Sequence, residues 1–531
     1  MQIIIPMSGF GERFRAAGYS IPKPLIEVEG KPIVQHVVEM FPGEDDFTFI
    51  CNKDHLNVKK YRMREILNEI APKGKVIPIN PHNLGPIHAV LQAMERLDLE
   101  KPTIVNYADF TCDWDYIDFC KIIQMSECDG AIPCYRGFHP HTLWSNYYAY
   151  VPEEKMYAID IQEKKPFTST PRKEFASSGT YYFRSANIMR QYFDRCVSED
   201  LTVGGEYYVS MAYKPMIQDG LKIQLYELNH FMQWGTPSDF EEYCYWSHVF
   251  KSILEEKKPP KHFGTLILPM VGQGIRFLNE DYDLPKPLIQ VSGKPMAIQA
   301  LMDLPLTDKQ KFILRKDMKG INILQDALKK NSVAAEFTVL DHMTDGQAST
   351  CIEGATEIAM NEPVTIAACD NGMIYDAESF NLLIDSDDVD IIVWAIRGYP
   401  GAVRNPEMYG WIDANESGII KNVSVKKPLV NPAIDPIVVG TFTFKKASNF
   451  FLSVEKMKER NGRINGEYYI DNAINDAISL GLKCVLYEID SYICWGTPND
   501  LKTFEYWQSC FSGWKSHPYA LENDRNIFDY Y

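Results

Sequence analysis

The sequence predicts two tandem α/β domains, each a mostly parallel mixed sheet sandwiched by helices. Three observations carry that prediction. First, one stretch occurs twice: residues 6–31 read P-M-S-G-F-G-E-R-F and then P-K-P-L-I-E-V-E-G-K, and residues 269–294 read P-M-V-G-Q-G-I-R-F and then L-P-K-P-L-I-Q-V-S-G-K. Arg13 to Arg276 is 276 − 13 = 263 residues, and Lys23 to Lys286 gives the same offset, so about half the chain is one copy. Second, apolar strand-length runs alternate with helical patterns inside each copy, which implies a sheet covered on both faces. Third, 531 residues are too many for a single core and suit two domains.

The first copy opens with a strand at Gln2–Ile5, followed by strand candidates at Phe47–Cys51, Val76–Ile79, Thr103–Tyr107 and Gly130–Tyr135. Ile33, Val34, Val37, Val38 and Phe41 share one helical face. Ile87, Val90, Leu91, Met94 and Leu97 share another, with Pro86 placed for a first helical turn. The second copy repeats the order at Thr265–Leu268, Lys311–Leu314, Glu336–Leu340, Val364–Ala368 and Asp390–Ala395. Later landmarks recur too. Gly205-Glu206-Tyr207-Tyr208 matches Gly466-Glu467-Tyr468-Tyr469 at 467 − 206 = 261, and Trp234-Gly235-Thr236-Pro237 matches Trp495-Gly496-Thr497-Pro498 at the same offset. The expected layout is a first domain over 1–250, a charged, proline-stiffened linker over 251–263, a second domain over 264–508 and a tail over 509–531. The tail has no counterpart in the first copy. Its aromatics (Phe511, Trp514, Tyr519, Phe528, Tyr530, Tyr531) predict packing onto a neighbour.

Composition narrows the function. Lys plus Arg number 54 against 71 Asp plus Glu, a formal charge of −17, which argues against nucleic acid as a partner. An anionic ligand must then be captured by local cations in a cleft. No window approaches the roughly 18 apolar residues of a membrane span, and the N-terminus lacks the pattern of a signal peptide. The 12 cysteines contain no C-x-x-C and read as reduced thiols of a cytoplasmic protein.

The duplicated loop carries the chemistry. Gly9 and Gly11, like Gly272 and Gly274, let backbone amides approach phosphate oxygens after a first strand, and a following helix N-terminus adds partial positive charge. Flanking prolines hold Lys23 and Lys286 on a stiff segment suited to meeting an anion.

With Arg13-Phe14, Pro22-Lys23-Pro24-Leu25 and their repeats, the pattern resembles the sugar-1-phosphate nucleotidylyltransferases, or pyrophosphorylases, once per copy. The resemblance implies a Rossmann-like, GT-A-like fold that binds a nucleoside triphosphate. In that family the phosphate of a phosphorylated acceptor attacks the α-phosphorus and pyrophosphate leaves with Mg²⁺ (or Mn²⁺) assistance. Carried over, the resemblance gives Arg13 and Arg276 a grip on the departing pyrophosphate and sets Lys23 and Lys286 at the α-phosphorus. Asp109 and Asp370, each after a strand, resemble the metal-binding aspartate. Lys165 and Lys427, of Lys164-Lys165-Pro166 and Lys426-Lys427-Pro428, resemble the lysine that holds the acceptor phosphate. Glu206 and Glu467 resemble the glutamate that binds acceptor hydroxyls, and Gly85 and Gly346 sit where the family reads the base. The implied role is precursor synthesis for surface polysaccharide. The base, the acceptor and any homo-oligomeric state are left open.

Two departures stand out. The family's W-x-D-x-G-T aspartate is replaced by Gln233 and Cys494, so either another carboxylate substitutes, with Asp239 and Asp490 nearby in sequence, or waters complete the metal shell. Counting back from the Lys-Lys-Pro step also sets Tyr148 where Gly410 stands, which predicts differently shaped acceptor sites. His139-Pro140-His141 reads as an exposed loop. Asp113-Trp114-Asp115 supplies the D-x-D that a glycosyltransferase reading would need, while a second alternative keeps one copy active and the other regulatory.

Overall fold

A computed structural model describes residues 1–144, 148–255, 264–355, 357–524 and 526–527. Most of the predicted linker, together with Phe528, Tyr530 and Tyr531 of the tail, lies outside the described residues. The chain forms two compact units, Met1–Cys244 with Gly513–His517, and Tyr245–Ser512 with Pro518–Tyr531.

In the first unit the main sheet runs in the order Ile223–Glu227, Gly130–Tyr135, Thr180–Phe183, Thr103–Asn106, Gln2–Met7, Asp46–Asn52 and Lys75–Ile79, with a short hairpin beyond Ile223–Glu227. Gln2–Met7 is parallel to both neighbours, and Thr180–Phe183 is the antiparallel strand of the middle. The reason is legible in the first strand. Ile3 and Ile5 enter the core on one face, Ile4 enters the core on the other, and all three are fully buried. A strand buried on both faces must be apolar throughout, and helices must cover both sides.

The second unit repeats the order strand for strand: Cys484–Glu488, Ile391–Ile396, Ile437–Phe444, Val364–Ile366, Thr265–Met270, Lys309–Arg315 and Ala335–Leu340. The parallel and antiparallel senses also match. Each expected strand is present, and the two expected helices form at Ile33–Glu39 and Pro86–Ala93. Each unit also has a separate two-stranded ribbon, Phe110–Asp113 with His230–Gln233 and Asn371–Ile374 with Ser491–Cys494. These ribbons bring the strand-end aspartates beside the Trp-Gly-Thr-Pro segments.

The tail is ordered by contacts within each unit. Trp514 packs on His36, Trp234 and Tyr243 of the first unit, with ring centroids 5.2, 6.1 and 6.0 Å away. In the second unit Tyr519 meets Phe250 at 4.7 Å and donates its hydroxyl to buried Asp524 at 2.5 Å.

Candidate functional site

Each site begins at the end of the first strand. Gly11 and Gly274 adopt φ of +65° and +66°, a conformation that favours glycine, and each leads into a helix with no side chain capping it. Those helices are single turns, Glu12–Ala16 and Ile275–Leu278. Any anion there would meet free backbone amides rather than a full helix dipole, which needs several aligned turns. Arg13 and Arg276 are exposed at the first turn, while Phe14 and Phe277 beside them are buried.

The buried phenylalanines have a function the motif alone did not disclose. Lys23 Nζ lies 5.9 Å from the Phe14 ring and Lys286 Nζ 5.7 Å from the Phe277 ring. Each lysine reaches past its ring to the strand-end aspartate. Lys23 Nζ donates to Asp109 Oδ2 at 2.7 Å, and Lys286 Nζ donates to Asp370 Oδ2 and, at 2.8 Å, to the Gly496 carbonyl. Burial alone would lower the Lys286 ammonium, but the Asp370 carboxylate holds it above its ordinary value.

Around the aspartates the two units share the same backbone pairing. The Trp234 amide donates to the Asp109 carbonyl at 2.9 Å, and the Trp495 amide to the Asp370 carbonyl at 2.9 Å. A Cβ on Gly235 would stand 3.2 Å from Asp109 Oδ2, and one on Gly496 3.5 Å from Asp370 Oδ2. Gln233 and Cys494 pair with the residues just after the aspartates, Phe110 and Asn371, so the register does place them at the site. Of the sequence-nearby acids, Asp239 is the one that faces the centre. Burial pushes its carboxyl up to about 6, with Glu242 and Asp109 adding to the rise and the Thr236 hydrogen bond and Arg13 opposing it. Its counterpart is Asp500, held by Thr497 Oγ1 at 2.7 Å as Asp239 is held by Thr236 Oγ1 at 2.6 Å. Asp490 instead precedes the far end of its ribbon strand, Ser491–Cys494, away from Cys494. Sequence proximity misplaced it.

A second cluster faces these residues. Lys164 Nζ donates to the Tyr208 hydroxyl at 2.6 Å, and Lys426 Nζ to the Tyr469 hydroxyl at 2.8 Å. Both lysines have positive φ, +60° and +57°, which turns them inward, whereas Lys165 and Lys427 are exposed. The Tyr208 hydroxyl is pushed up by burial and by the Glu206 carboxylate it bonds, with Arg13 opposing; Tyr469 repeats this with Glu467 and Arg276. A Lys–Tyr–Glu chain therefore ties the candidate glutamates to the Lys-Lys-Pro step, and the charge of the glycine-loop arginines acts on its tyrosine. Tyr208 and Tyr469 were visible only as repeated letters in Gly-Glu-Tyr-Tyr.

Gly85 and Gly346 bind this segment in place. Their φ values are +86° and +127°, and a Cβ on Gly85 would meet the Tyr207 backbone N at 2.7 Å and O at 2.8 Å. The same overlap with the Tyr468 backbone occurs at Gly346. Tyr207 N donates to Leu84 O at 2.9 Å and Ile87 N to Tyr207 O at 3.1 Å, so two backbones pair at a point where only hydrogen fits.

Three further expectations are corrected. Lys164 N donates to Tyr148 O and Lys426 N to Tyr409 O, so Tyr148 corresponds to Tyr409. Ala149, opposite Glu163, is the residue that matches Gly410, opposite Val425; the first hairpin is one residue shorter, and simple counting slips by one. His139 and His141 are buried, not exposed: they pack against Tyr135, and His141 Nε2 lies 3.0 Å from its hydroxyl. Burial drives the His139 imidazole down to about 3, and it also holds His141 well below the ordinary imidazole range. Asp115 of the D-x-D caps the helix Tyr116–Ser126 by accepting from Asp118 N at 2.9 Å, at the opposite end of Phe110–Asp113 from Asp109. Among the described residues no group of three or more His, Cys, Asp or Glu side chains is set to hold a metal.

Residues 2–204 match the family model described as nucleotidyl transferase. The chain is 25% identical over 244 residues to the bifunctional protein GlmU of Methanocaldococcus jannaschii, which spans 46% of this chain and 53% of that protein. It is 27% identical over 247 residues to the mannose-1-phosphate guanylyltransferase catalytic subunit beta of Danio rerio, spanning 45% and 62%. The chain thus spans about half the length of the curated relatives it matches. Among solved structures, a nucleoside-diphosphate-sugar pyrophosphorylase from Vibrio cholerae RC9 aligns over 45% of this chain and 98% of its own at 22% identity, with a TM-score of 0.37. No helix among the described residues is long and apolar enough to cross a membrane.

Proposed function

We propose that the chain is a tandem nucleotidyltransferase, each domain transferring a nucleoside monophosphate from a nucleoside triphosphate to a phosphorylated acceptor, a sugar 1-phosphate being the acceptor class the relatives suggest. One observation carries the reading: an open glycine loop, a clamped Lys–Asp pair and a Lys–Tyr–Glu chain converge at the same place in both units. An acceptor phosphate oxygen attacks the α-phosphorus, the bond to the bridging oxygen of the β-phosphate breaks, and pyrophosphate leaves. Backbone amides at Gly9–Gly11 and Gly272–Gly274, with Arg13 and Arg276, would hold the departing group. Lys23 and Lys286 would neutralise charge at the α-phosphorus. Lys164 and Lys426, turned inward, are better placed than Lys165 and Lys427 for the acceptor phosphate. Such chemistry rests on positioning and charge neutralisation.

Asp109 and Asp370 are the residues that would hold Mg²⁺ or Mn²⁺. Each is a partly exposed carboxylate, 25% and 27% accessible, and such ions are commonly held by one or two carboxylates plus substrate phosphates. A bound ion there would neutralise triphosphate oxygens.

The test is pyrophosphate release by the whole chain over a panel of triphosphates and phosphorylated sugars. We expect Lys23→Ala and Lys286→Ala each to lower one part of the activity about a hundredfold and the double variant to lower the whole by that factor. No release with any pair refutes the proposal. A second reading, with only the first domain active, is favoured by Cys494, a soft thiol beside Asp370 that suits Mg²⁺ poorly. An unchanged rate in Lys286→Ala would establish it.

A further inference from the structure

At the end of the strand beside the glycine loop, the second unit carries an arginine where the first has an asparagine. Arg315 is the last residue of Lys309–Arg315, which runs parallel to Thr265–Met270. Ligands of open α/β sheets bind outside the carboxyl ends of such strands. Side chains alternate along a strand, so Arg315 shares a face with Ile313, which lies against Gly354 of the helix Gln347–Gly354. It therefore leaves the sheet on the side of Gly346, the residue before that helix. Register identifies its counterpart: Arg315 pairs with Leu340 and Asn52 with Ile79, each at the end of the matching strand.

The two residues act differently. Asn52 is buried and accepts from Asp54 N at 2.8 Å, capping the helix Lys53–Asn57. Arg315 instead spans two loops. Its Nη1 donates to Val271 O at 2.7 Å, just before Gly272, and also touches Met343 Sδ, three residues before Gly346. In the first unit the residue three before Gly85 is His82, whose ring packs on His88 at 4.7 Å. Arg315 Nε pairs with Asp317, while Nη2 has no hydrogen bond among the described residues. The arginine side chain is only 13% exposed, so its remaining N–H groups need acceptors. Asp317 is largely solvated, which leaves the guanidinium open to a second anion. A forked guanidinium held between the triphosphate loop and the base loop matches the oxygens of a phosphate.

We propose that Arg315 binds a phosphate oxygen of the nucleoside triphosphate in the second domain, through Nη2, while Nη1 holds the glycine loop to the base loop. The first domain, with Asn52 there, binds its triphosphate without this contact. This rests on the transfer reading above and deepens it.

The experiment uses the full chain with Lys23→Ala, so that pyrophosphate release reports the second domain. Arg315→Gln keeps an amide that can donate to Val271 O but loses the charge. It should raise the triphosphate KM about tenfold or more, by the same factor for every base the domain accepts, because the phosphates are common to all of them. The acceptor KM and the melting temperature should stay as in the parent, which a purely structural role would not allow. An unaltered triphosphate KM overturns the proposal. A rise confined to one base also overturns it, since Arg315 would then read the base. If Arg315→Gln does not fold, Arg315→Lys decides: it keeps the charge but not the fork, and the triphosphate KM should still rise about threefold or more at unchanged acceptor KM. An unaltered triphosphate KM there overturns the proposal. No pyrophosphate from the wild-type chain with any pair sinks the transfer reading and this proposal with it, whereas release by the wild type with no change in the variants sinks this proposal alone.

Discussion

Lys23 and Lys286 are each held by three things at once: prolines on either side, an aromatic ring beneath and an aspartate ahead. A cation fixed in that way gives up little entropy on meeting a triphosphate, which is why its loss should be costly. In the background where the other domain is silenced, Lys23→Ala is expected to lower kcat about a hundredfold, the scale of about 3 kcal/mol for one preorganised charge. A pyrophosphate assay at saturating triphosphate checks it. Glu163 carries a pH prediction. Its carboxyl is raised from 4.5 to about 6, so the folded chain holds that proton more tightly than the unfolded chain. Stability from this group is present at low pH and falls as pH rises from about 4.5 to about 6, by about 2 kcal/mol. Glu163→Gln should therefore gain stability relative to wild type on going from pH 4.5 to pH 7.5, measured by denaturant melts at both. At this scale the sequence exposed the charged residues of the motifs but not the choice between Lys164 and Lys165, because a positive φ decides which of two adjacent lysines turns inward.

At the scale of elements, the loop 83–86 and the Gly-Glu-Tyr-Tyr segment act as one piece, joined by backbone hydrogen bonds through Gly85, and through Gly346 in the second unit. Gly85→Ala and Gly346→Ala each demand a Cβ inside a facing backbone at positive φ. We expect a loss of about 2 kcal/mol or more per site, read as a lower melting temperature, with the acceptor KM rising because Glu206 or Glu467 is displaced. These glycines were legible as candidates from their spacing, yet the reason for them was not, since the facing segment lies more than a hundred residues away. The same holds for the ribbons. The Trp-Gly-Thr-Pro repeat was plain in the sequence, but only strand pairing set Gln233 and Cys494 beside the aspartates and carried Asp490 to the far end. Hairpin length explains the slip at Tyr148: the second hairpin has an irregularity between Asp413 and Ala414, so counting along the chain misaligns by one residue while the strand pairing keeps Ala149 and Gly410 equivalent.

For the whole molecule, the tail past residue 508 contributes to both cores. Tyr519 donates to Asp524, a carboxylate with no exposed surface that also accepts from Gln508 Nε2 at 3.2 Å. Tyr519→Phe should cost about 1–3 kcal/mol by leaving that carboxylate short of a donor, and Trp514→Ala should separately lower the stability of the first unit. Hydrogen exchange resolved by unit would distinguish the two effects. The duplication, the alternation of strands and helices and the glycine–arginine–lysine motif were determined by the sequence alone, because they depend on periodicity and on residues close together in the chain. Which lysine faces inward and which acid stands beside the aspartate were decided only by the tertiary structure. Those depend on register and backbone sign, and pairings between strands far apart in sequence leave no local trace.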